Sequence, residues 1–330
     1  MRKTTLILLF GLLTFLTACR NKGENVYIPS VGGIAYDLMI VGNANIWRDT
    51  AGRKIFETFD QEMPGLPQSE PMFNILFLET RNFTDIVKPM RNLFFFHVDS
   101  TQYTQGKVSF SKNKWANTQA IVKITAPTQE ELIKALNEKS QAIIDFYVDQ
   151  ECERNILYFD RYSEPNMIKL MDDSLDISLK IPNYINKSKT AKNFVWISNG
   201  SIDARLDILA YRTPHTDSTD FTMKRILEKR DSITRLYIPG PSEGSYMTTE
   251  KEVIPPVDRH FYFKKKKCTE VRGLWRTEGD FMGGPFVSRT FYDPRTDEML
   301  TVEAFVYAPQ HKKRNKIRQV EAVLHSLDFE

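Results

Sequence analysis

The chain is poor in the residue types that build disulfide frameworks and histidine metal sites. Its 330 residues include only three cysteines and five histidines, without a CxxC or HExxH spacing. We therefore predict no metal site and no cofactor. The sequence leaves open whether Cys152 and Cys268 form a disulfide or remain two separate thiols. His97 lies in an apolar run and is expected in the core, whereas the other histidines, including His325, are expected at the surface.

Long hydrophobic runs are scarce as well. The one long run, Leu6–Leu16 near the start, is shorter than the roughly 20 residues that a helix needs to cross a bilayer. No later run approaches that length, so we expect a soluble body.

A large excess of charge of either sign is also missing. The chain has 45 Lys and Arg against 42 Asp and Glu, a net charge of +3. This balance argues against a general nucleic-acid-binding protein. The hydrophobic fraction of 41% is enough to bury cores, and the length suggests two domains of ordinary size.

The motifs of common enzyme classes are absent. EGDFMGGPF at 278–286 is rich in glycine but lacks the GK[ST] of a phosphate-binding loop, and no GxSxG or SxxK occurs. Paired carboxylates for glycoside hydrolysis cannot be recognised from spacing, because the fold brings them together. Whether the protein is an enzyme stays open, and we favour a protein without catalytic activity.

The most specific motif lies at the N-terminus. Arg2 and Lys3 precede the apolar run, which ends in LTAC at 16–19. This segment resembles the lipobox of bacterial lipoproteins, and the resemblance implies removal of 1–18 and lipidation, including palmitate, of Cys19. Cleavage removes two basic residues and no acid, so the net charge falls from +3 to +1. The alternative is a signal peptide cleaved without lipidation, with Cys19 as an ordinary thiol.

The lipobox and the aromatic-rich body together resemble an uncharacterised lipoprotein family of Bacteroidetes-type bacteria, a domain-of-unknown-function family. FVWIS at 194–198 and RGLWRTEGDFMGGPFVSR at 272–289 are candidate hallmarks. The resemblance implies a lipid-anchored protein of the cell envelope and transfers no catalytic residue. Because Arg20 and not aspartate follows the cysteine, we expect the outer membrane, with the body facing the periplasm.

The pattern of apolar residues predicts an α+β fold with two domains, each a mainly antiparallel or mixed sheet packed against amphipathic helices. We expect a signal peptide at 1–18, a tether at 19–34, an N-terminal α/β domain at 35–165 and a C-terminal α+β domain at 166–330. Thr128 and Glu131 form a capping-box pattern at the start of a long helix. The predicted helices are 50–63, 83–91, 129–148, 219–236 and 310–327. The predicted strands are 36–41, 72–78, 93–98, 119–125, 155–159, 175–181, 194–198, 204–211, 259–266, 270–277, 286–292 and 299–307.

Two segments are candidate contact sites. The first is an aromatic and charged rim around a hairpin, formed by Trp275, Arg276, Glu278, Asp280, Gly283 and Gly284. The second is the lysine run of HFYFKKKK, where Lys264, Lys265, Lys266 and Lys267 are suited either to a solvated edge strand or to contact with a membrane surface.

These observations support two hypotheses. The favoured one is a non-enzymatic binding or assembly module held to the membrane by its lipid, with another envelope protein or a glycan as partner and no nucleic acid. The alternative is a periplasmic hydrolase of glycan or peptide, motivated by tryptophans such as Trp115, Trp196 and Trp275 that are able to stack on sugars.

Overall fold

The computed structural model describes residues 28–329. The N-terminal domain contains a five-stranded sheet of β1 (Asp37–Gly42), β2 (Asn74–Glu79), β3 (Asn92–Val98), β4 (Lys107–Lys112) and β5 (Ala120–Ala126). The order is β2-β1-β3-β5-β4, and the pairs are parallel except for β4 with β5. Four of these strands lie within two residues of the predicted ones. The strand β4 is missing from the predicted strands, because KVSFSK at the sheet edge is largely exposed and has only two apolar residues, Val108 and Phe110.

The helices of this domain are α1 (Ala44–Trp47), α2 (Thr50–Phe59) and α3 (Gln129–Arg161). The Thr128 side chain accepts a hydrogen bond from the Glu131 amide at 3.4 Å, which confirms the predicted start of α3. The predicted strand at 155–159 is wrong, because α3 continues through it. Of that run, NILYF, only Phe159 is fully buried, as expected for one face of a helix. An apolar run of five residues does not by itself distinguish a strand from a helix.

The C-terminal domain contains one large antiparallel sheet. Its strands are β7 (Lys187–Ala191), β8 (Phe194–Ser198), β9 (Arg205–Pro214), β10 (Tyr246–Glu250), β11 (Val257–Phe263), β12 (Lys266–Glu278), β13 (Gly283–Asp293) and β14 (Glu298–Tyr307). The strand order is β10-β12-β13-β14-β9-β8-β7, and β11 pairs with β12 beside β10.

Three helices accompany this sheet: α4 (Pro165–Leu175), α5 (Met223–Tyr237) and α6 (Arg314–His325). The helix predicted over 219–236 is a 3-10 turn at Ser218–Phe221 followed by α5. The strand predicted over 175–181 is wrong in extent. Only β6 (Ile177–Ser178) is extended there, paired with β15 (Asp328–Phe329), and the residues before it end α4.

The two sheets share a layer of helices. The helix α3 packs on β3, β4 and β5 and also on α6, which in turn packs on β9, β13 and β14. The buried residues of this layer form one continuous hydrophobic cluster that runs from Tyr36 to Leu327. These elements confirm the predicted α+β class, with a mixed sheet in the N-terminal domain and an antiparallel sheet in the C-terminal domain.

The outer faces of the sheets are covered in different ways. In the C-terminal domain α5 lies over Trp275, Phe286 and Phe305. In the N-terminal domain loop residues such as Phe83 and Trp115 cover the sheet. The helix predicted over 83–91 is wrong, because this segment consists of turns and loop and the nearest helical turn, a 3-10 turn at Thr80–Asn82, ends before it.

A carboxylate of the N-terminal domain caps a helix of the C-terminal domain. Glu70 accepts hydrogen bonds from the backbone amides of Lys313 at 2.6 Å and Arg314 at 3.3 Å, at the start of α6. Since α6 has no capping side chain of its own, Glu70 supplies the missing acceptor and a favourable negative charge at the helix N-terminus.

The last part of the predicted tether belongs to the folded body. The Ile28 carbonyl accepts a hydrogen bond from the Asn117 side chain at 2.9 Å, and the Gly32 amide donates to the Pro89 carbonyl at 2.9 Å. Residues 28–34 are therefore attached to the N-terminal domain. Within residues 28–329 no helix is long and apolar enough to cross a membrane.

Candidate binding cleft between the two domains

A cleft of about 750 Å³ opens between the two domains. One wall consists of α3 and residues 61–72 of the N-terminal domain, and the other consists of β11, β12, β13 and α6. Its volume lies in the range of small-molecule sites, and domain interfaces are a common location for such sites.

The floor of the cleft is built around Glu270. Arg259, Glu270 and Arg289 are register partners across β11, β12 and β13. Glu270 accepts from Arg259 Nε at 2.9 Å and Nη2 at 3.2 Å, and from Arg289 Nε at 2.9 Å. Arg272, two residues along the same strand, adds its Nε at 2.9 Å. Three guanidinium groups therefore share this buried carboxylate.

Glu321 of α6 is the second acceptor on the floor. It accepts from Arg272 Nη2 and from Arg318 Nη1, the latter at 3.3 Å. We call this set the cleft network, in which four guanidinium groups share two carboxylates: Arg259, Glu270, Arg272, Arg289, Arg318 and Glu321.

The neighbouring arginines favour the ionised form of both glutamates of the cleft network. Burial disfavours the charged form of Glu270, but Arg272 and Arg289 outweigh it and hold the pKa of this carboxyl well below its usual range. Burial acts in the same way on Glu321, whose pKa is lowered by Arg272 and Arg318. Four arginines against two glutamates leave the floor with an excess of positive charge.

Not all donors of the floor have an acceptor. Among the described residues, Arg289 Nη1 and Arg318 Nε are buried without a hydrogen-bond partner, and Arg289 is fully buried. Arg289 Nη2 lies 2.8 Å from His325 Nε2, and because a guanidinium only donates, the imidazole must accept there. Burial and the charge of Arg289 lower the pKa of His325, which agrees with a neutral ring.

The opposite wall carries negative charge. Asp145 and Asp149 lie one helical turn apart on α3, and both line the cleft. Gln141 donates to Asp145 at 2.9 Å, whereas the Asp149 side chain has no hydrogen bond or ion pair with any residue in the part of the chain that the structure describes. Burial raises the pKa of Asp149 although Arg259 and Arg289 act against it.

Apolar side chains complete the lining. Phe261 and Phe263 of β11 lie near the Arg289 guanidinium, whose carbon is 5.7 Å and 5.4 Å from the two ring centroids. Val148 and Met72 line the side of the N-terminal domain. The cleft thus has a cationic floor, an acidic wall and aromatic surface between them.

Comparison with known proteins shows that both halves of the chain are similar to uncharacterised domains. Residues 30–160 match the family model "Domain of unknown function (DUF8532)", and residues 164–326 match "Domain of unknown function (DUF4837)". This confirms the expected resemblance to an uncharacterised family. The domain limits at 35–165 and 166–330 stay predictions, as does lipidation.

No curated protein matches the chain. A crystal structure from Bacteroides thetaiotaomicron VPI-5482 matches with a TM-score of 0.25 and 12% identity. The match covers 47% of this chain and 45% of that chain, so it spans less than half of either protein.

The sequence analysis did not identify the cleft network. A usable signal was present, because Glu270, Arg272 and Arg289 lie in predicted strands at alternating positions among apolar residues. Charged side chains on the buried face of a strand require partners. Which charges meet depends on the strand register and on α6, and neither can be derived from the sequence pattern alone.

The predicted rim lies on the part of β12 and β13 beyond the cleft. Trp275 is not available there, because it is 2% exposed, packs in the core and donates to the Val306 carbonyl at 3.2 Å. Gly284 is also buried, and a Cβ on it would lie 2.0 Å from the Val306 carbonyl oxygen, so the close approach requires glycine.

The other rim residues are more accessible. Arg276 pairs with Glu278 at 2.7 Å, and half-buried Asp280 accepts from Ser242. Gly283 is the first residue of β13. Binding at this rim stays a prediction, without Trp275 as its aromatic part.

The lysine run forms the hairpin between β11 and β12. Lys264 and Lys265 occupy the turn with φ values of +45° and +67°. Lys264 Nζ is 3.4 Å from an Asp328 carboxylate oxygen, Lys266 lies over Phe329, and Lys267 lies over Phe221. Three of the four lysines therefore have partners within the chain, and membrane contact stays a prediction.

The remaining cysteine and histidine predictions have mixed outcomes. Cys152 and Cys268 are separate buried thiols, and burial raises the pKa of each to about 12. The prediction of a buried His97 is wrong, because this residue is exposed beside Tyr103. Of the four histidines expected at the surface, His260 is exposed, whereas His325 is half-buried in the cleft. Cys19 lies outside the described residues, so its lipidation stays a prediction.

Proposed function

We propose that the protein is a lipid-anchored lipoprotein of the cell envelope that binds a ligand in the cleft between its domains. In this proposal Cys19 carries the lipid, the anchor lies in the outer membrane and the body faces the periplasm. The partners are the membrane, through the lipid, and a molecule derived from another envelope protein or a glycan. The anchor is supported by the lipobox sequence alone.

The cleft network carries the binding part of the proposal. Proteins rarely bury charge without full compensation, because the desolvation of an unpaired charged group costs several kcal/mol, on the order of the effects measured for broken ion pairs. Here four guanidinium groups share two carboxylates beside an open cleft. A ligand that supplies further acceptors would complete the arrangement.

The protonation of the floor argues against Glu270 and Glu321 as proton donors. A glycoside hydrolase needs one carboxyl whose pKa is raised, so that it donates a proton to the leaving group. The pKa values of Glu270 and Glu321 are instead held low by arginines, and the carboxyl whose pKa is raised is Asp149 on the opposite wall. Both carboxylates are suited to orienting guanidinium groups.

The hydrolase alternative has separate support in a second groove. This groove of about 420 Å³ is lined by Trp196, Tyr307 and Arg205 among others, and the Arg205 guanidinium lies 5.9 Å from both ring centroids. Half-buried aromatic rings beside a charged group are typical of sugar-binding surfaces. Hydrolysis of a glycan by the purified protein would favour this second hypothesis.

The anchor is tested with the Cys19→Ala variant of the full chain in its host. We expect loss of acyl label and release from the membrane fraction, with an unchanged free energy of unfolding of the body. An acyl label that remains on the variant would contradict the anchor. Protease treatment of intact cells then determines whether the body faces the periplasm.

The binding part is tested by denaturing the purified protein and identifying the small molecules it releases. The wild type is compared with Arg259→Gln, in the cleft, and with Arg225→Gln, an arginine of similar exposure on α5. We expect a compound released by the wild type and by Arg225→Gln and depleted in Arg259→Gln. Equal release from all three proteins would contradict binding in the cleft.

A further inference from the structure

The arginines of the cleft and the two aspartates of α3 lie on opposite walls. The C-terminal domain contributes the arginine-rich floor and also Asp258 of β11, which lies 3.3 Å from His260 Nε2, and α3 of the N-terminal domain contributes Asp145 and Asp149. Like charges one turn apart on a helix repel each other, so the two aspartates are unfavourable for α3 itself. A cation bound against α3 would reduce this repulsion, just as an anion bound to the floor would reduce the repulsion between the arginines.

Donors remain available on the floor. Arg259 and Arg272 use Nε and Nη2 on the glutamates, and among the described residues Nη1 of neither makes a hydrogen bond. The Arg259 side chain is 52% exposed, so its Nη1 is accessible from the cleft. Beneath it, the buried and unpartnered Nη1 of Arg289 adds positive potential at the same place.

We infer that the cleft binds a small zwitterion, with its oxyanion on Arg259 and Arg272 and its primary ammonium group against Asp145 and Asp149. This inference rests on the proposed binding function and specifies the class of ligand. Guanidinium groups bind carboxylate and phosphate oxygens alike, so a short peptide and a phosphoethanolamine compound share the required chemistry. Phe261 and Phe263 provide apolar surface for the part of the ligand between the charges.

Calorimetric titration of the full chain in detergent with two probes tests this inference. The carboxylate probe is the tripeptide Ala-Phe-Ala, compared with its N-acetyl and C-amide forms. The phosphate probe is glycerophosphoethanolamine, compared with its N-acetyl form and with inorganic phosphate. We expect at least one parent probe to bind, and we expect each neutralised form to bind about tenfold more weakly, as for the loss of one charge-assisted hydrogen bond. The parent that binds identifies the source of the oxyanion.

Two variants identify the wall that each charge contacts. Arg259→Gln leaves Glu270 with Arg272 and Arg289. This variant should bind the parent probe and its N-acetyl form about tenfold more weakly than the wild type does. Asp149→Asn should bind the parent probe about tenfold more weakly and should bind the N-acetyl form with unchanged affinity. Arg225→Gln should bind as the wild type does, and thermal melting checks that each variant is folded.

Other outcomes overturn the inference. If the N-acetyl peptide or inorganic phosphate binds as well as its parent, the site is a simple anion site. If neither parent probe binds, the inference of a zwitterionic ligand is wrong. The proposed function would still stand if the wild type releases a compound on denaturation and Arg259→Gln releases less of it, so the two failures are distinguishable.

Discussion

The two faces of the C-terminal sheet bury glutamate and arginine in different proportions. On the outer face Glu303 of β14 pairs with Arg230 of α5, through Nε at 2.8 Å and Nη2 at 2.7 Å, and both residues are fully buried. Arg230 Nη1 donates to Thr249, and its guanidinium lies 4.0 Å from the Phe286 ring centroid. On the inner face four arginines share two glutamates beside a cleft.

This difference separates a structural ion pair from a binding site. The outer pair matches one charge with one charge, and its donors are engaged within the core. The inner network has more donors than acceptors and opens on a cavity. Burial of charge is therefore not by itself a sign of function, whereas an unbalanced set beside a cavity is a candidate for ligand binding.

The largest expected effect is the loss of stability when Arg230 is removed from the outer face, compared with the smaller loss when Arg289 is removed from the inner face. Arg230→Met leaves Glu303 buried without a partner and should lower the free energy of unfolding by about 3–5 kcal/mol. Arg289→Met leaves Glu270 with two arginines and relieves part of the positive excess, so its cost should be about 1–2 kcal/mol. Urea unfolding at neutral pH measures both values.

The control for this contrast removes the whole outer pair. Arg230→Met combined with Glu303→Leu should recover most of the loss, because no unpaired charge remains in the core. Equal losses for the two single variants would mean that the faces do not differ in the way their charges are balanced.

An intermediate effect is expected from acid. The pKa values of Glu270 and Glu321 are lower in the folded protein than the ordinary value of 4.5. Their stabilising contribution is therefore complete above about pH 4.5 and is lost as the pH falls further towards the folded-state values. Urea unfolding from pH 7 down to about pH 3 should show this loss, and Glu270→Gln should make it shallower.

The outer face again supplies the comparison for the acid experiment. The Arg230→Met and Glu303→Leu double variant keeps both inner glutamates, so it should retain the full loss of stability below about pH 4.5. An acid profile that Glu270→Gln leaves unchanged would show that the inner arginines do not stabilise its ionised form.

The smallest expected effect concerns the helix that carries Arg318 and Glu321. Glu70→Ala removes the acceptor at the start of α6 and should cost about 1 kcal/mol, as is typical for a lost helix cap. Glu62→Ala in the same segment is the control, because Glu62 is exposed and accepts a hydrogen bond from the exposed Ser69 hydroxyl at 2.6 Å. A loss no larger than that of the control would show that the cap does not contribute to stability.

Much of the fold could be predicted from periodicity and caps. Strands such as 194–198 and the start of α3 at Thr128 follow from local patterns that tertiary packing did not override. The errors at 83–91 and 155–159 have a tertiary cause. In the first segment Phe83 covers a sheet from a loop, and in the second the run extends a helix packed between two sheets.

The site could not be predicted in the same way. Arg259, Glu270 and Arg289 are up to 30 positions apart in sequence and meet only through the register of three strands. Arg318 and Glu321 join them because α6 folds back over the sheet. The predicted rim relied on residues adjacent in sequence, and its tryptophan is in the core.

The helical layer also has a consequence for the order in which the chain folds. The helix α3 precedes all of the C-terminal sheet, whereas α6 follows that sheet in the sequence. During synthesis, the face of α3 that packs on α6 has no cover until residues 314–325 have emerged. The helical layer of the N-terminal domain is therefore completed only by α6, a helix that lies beyond the whole C-terminal sheet in the sequence.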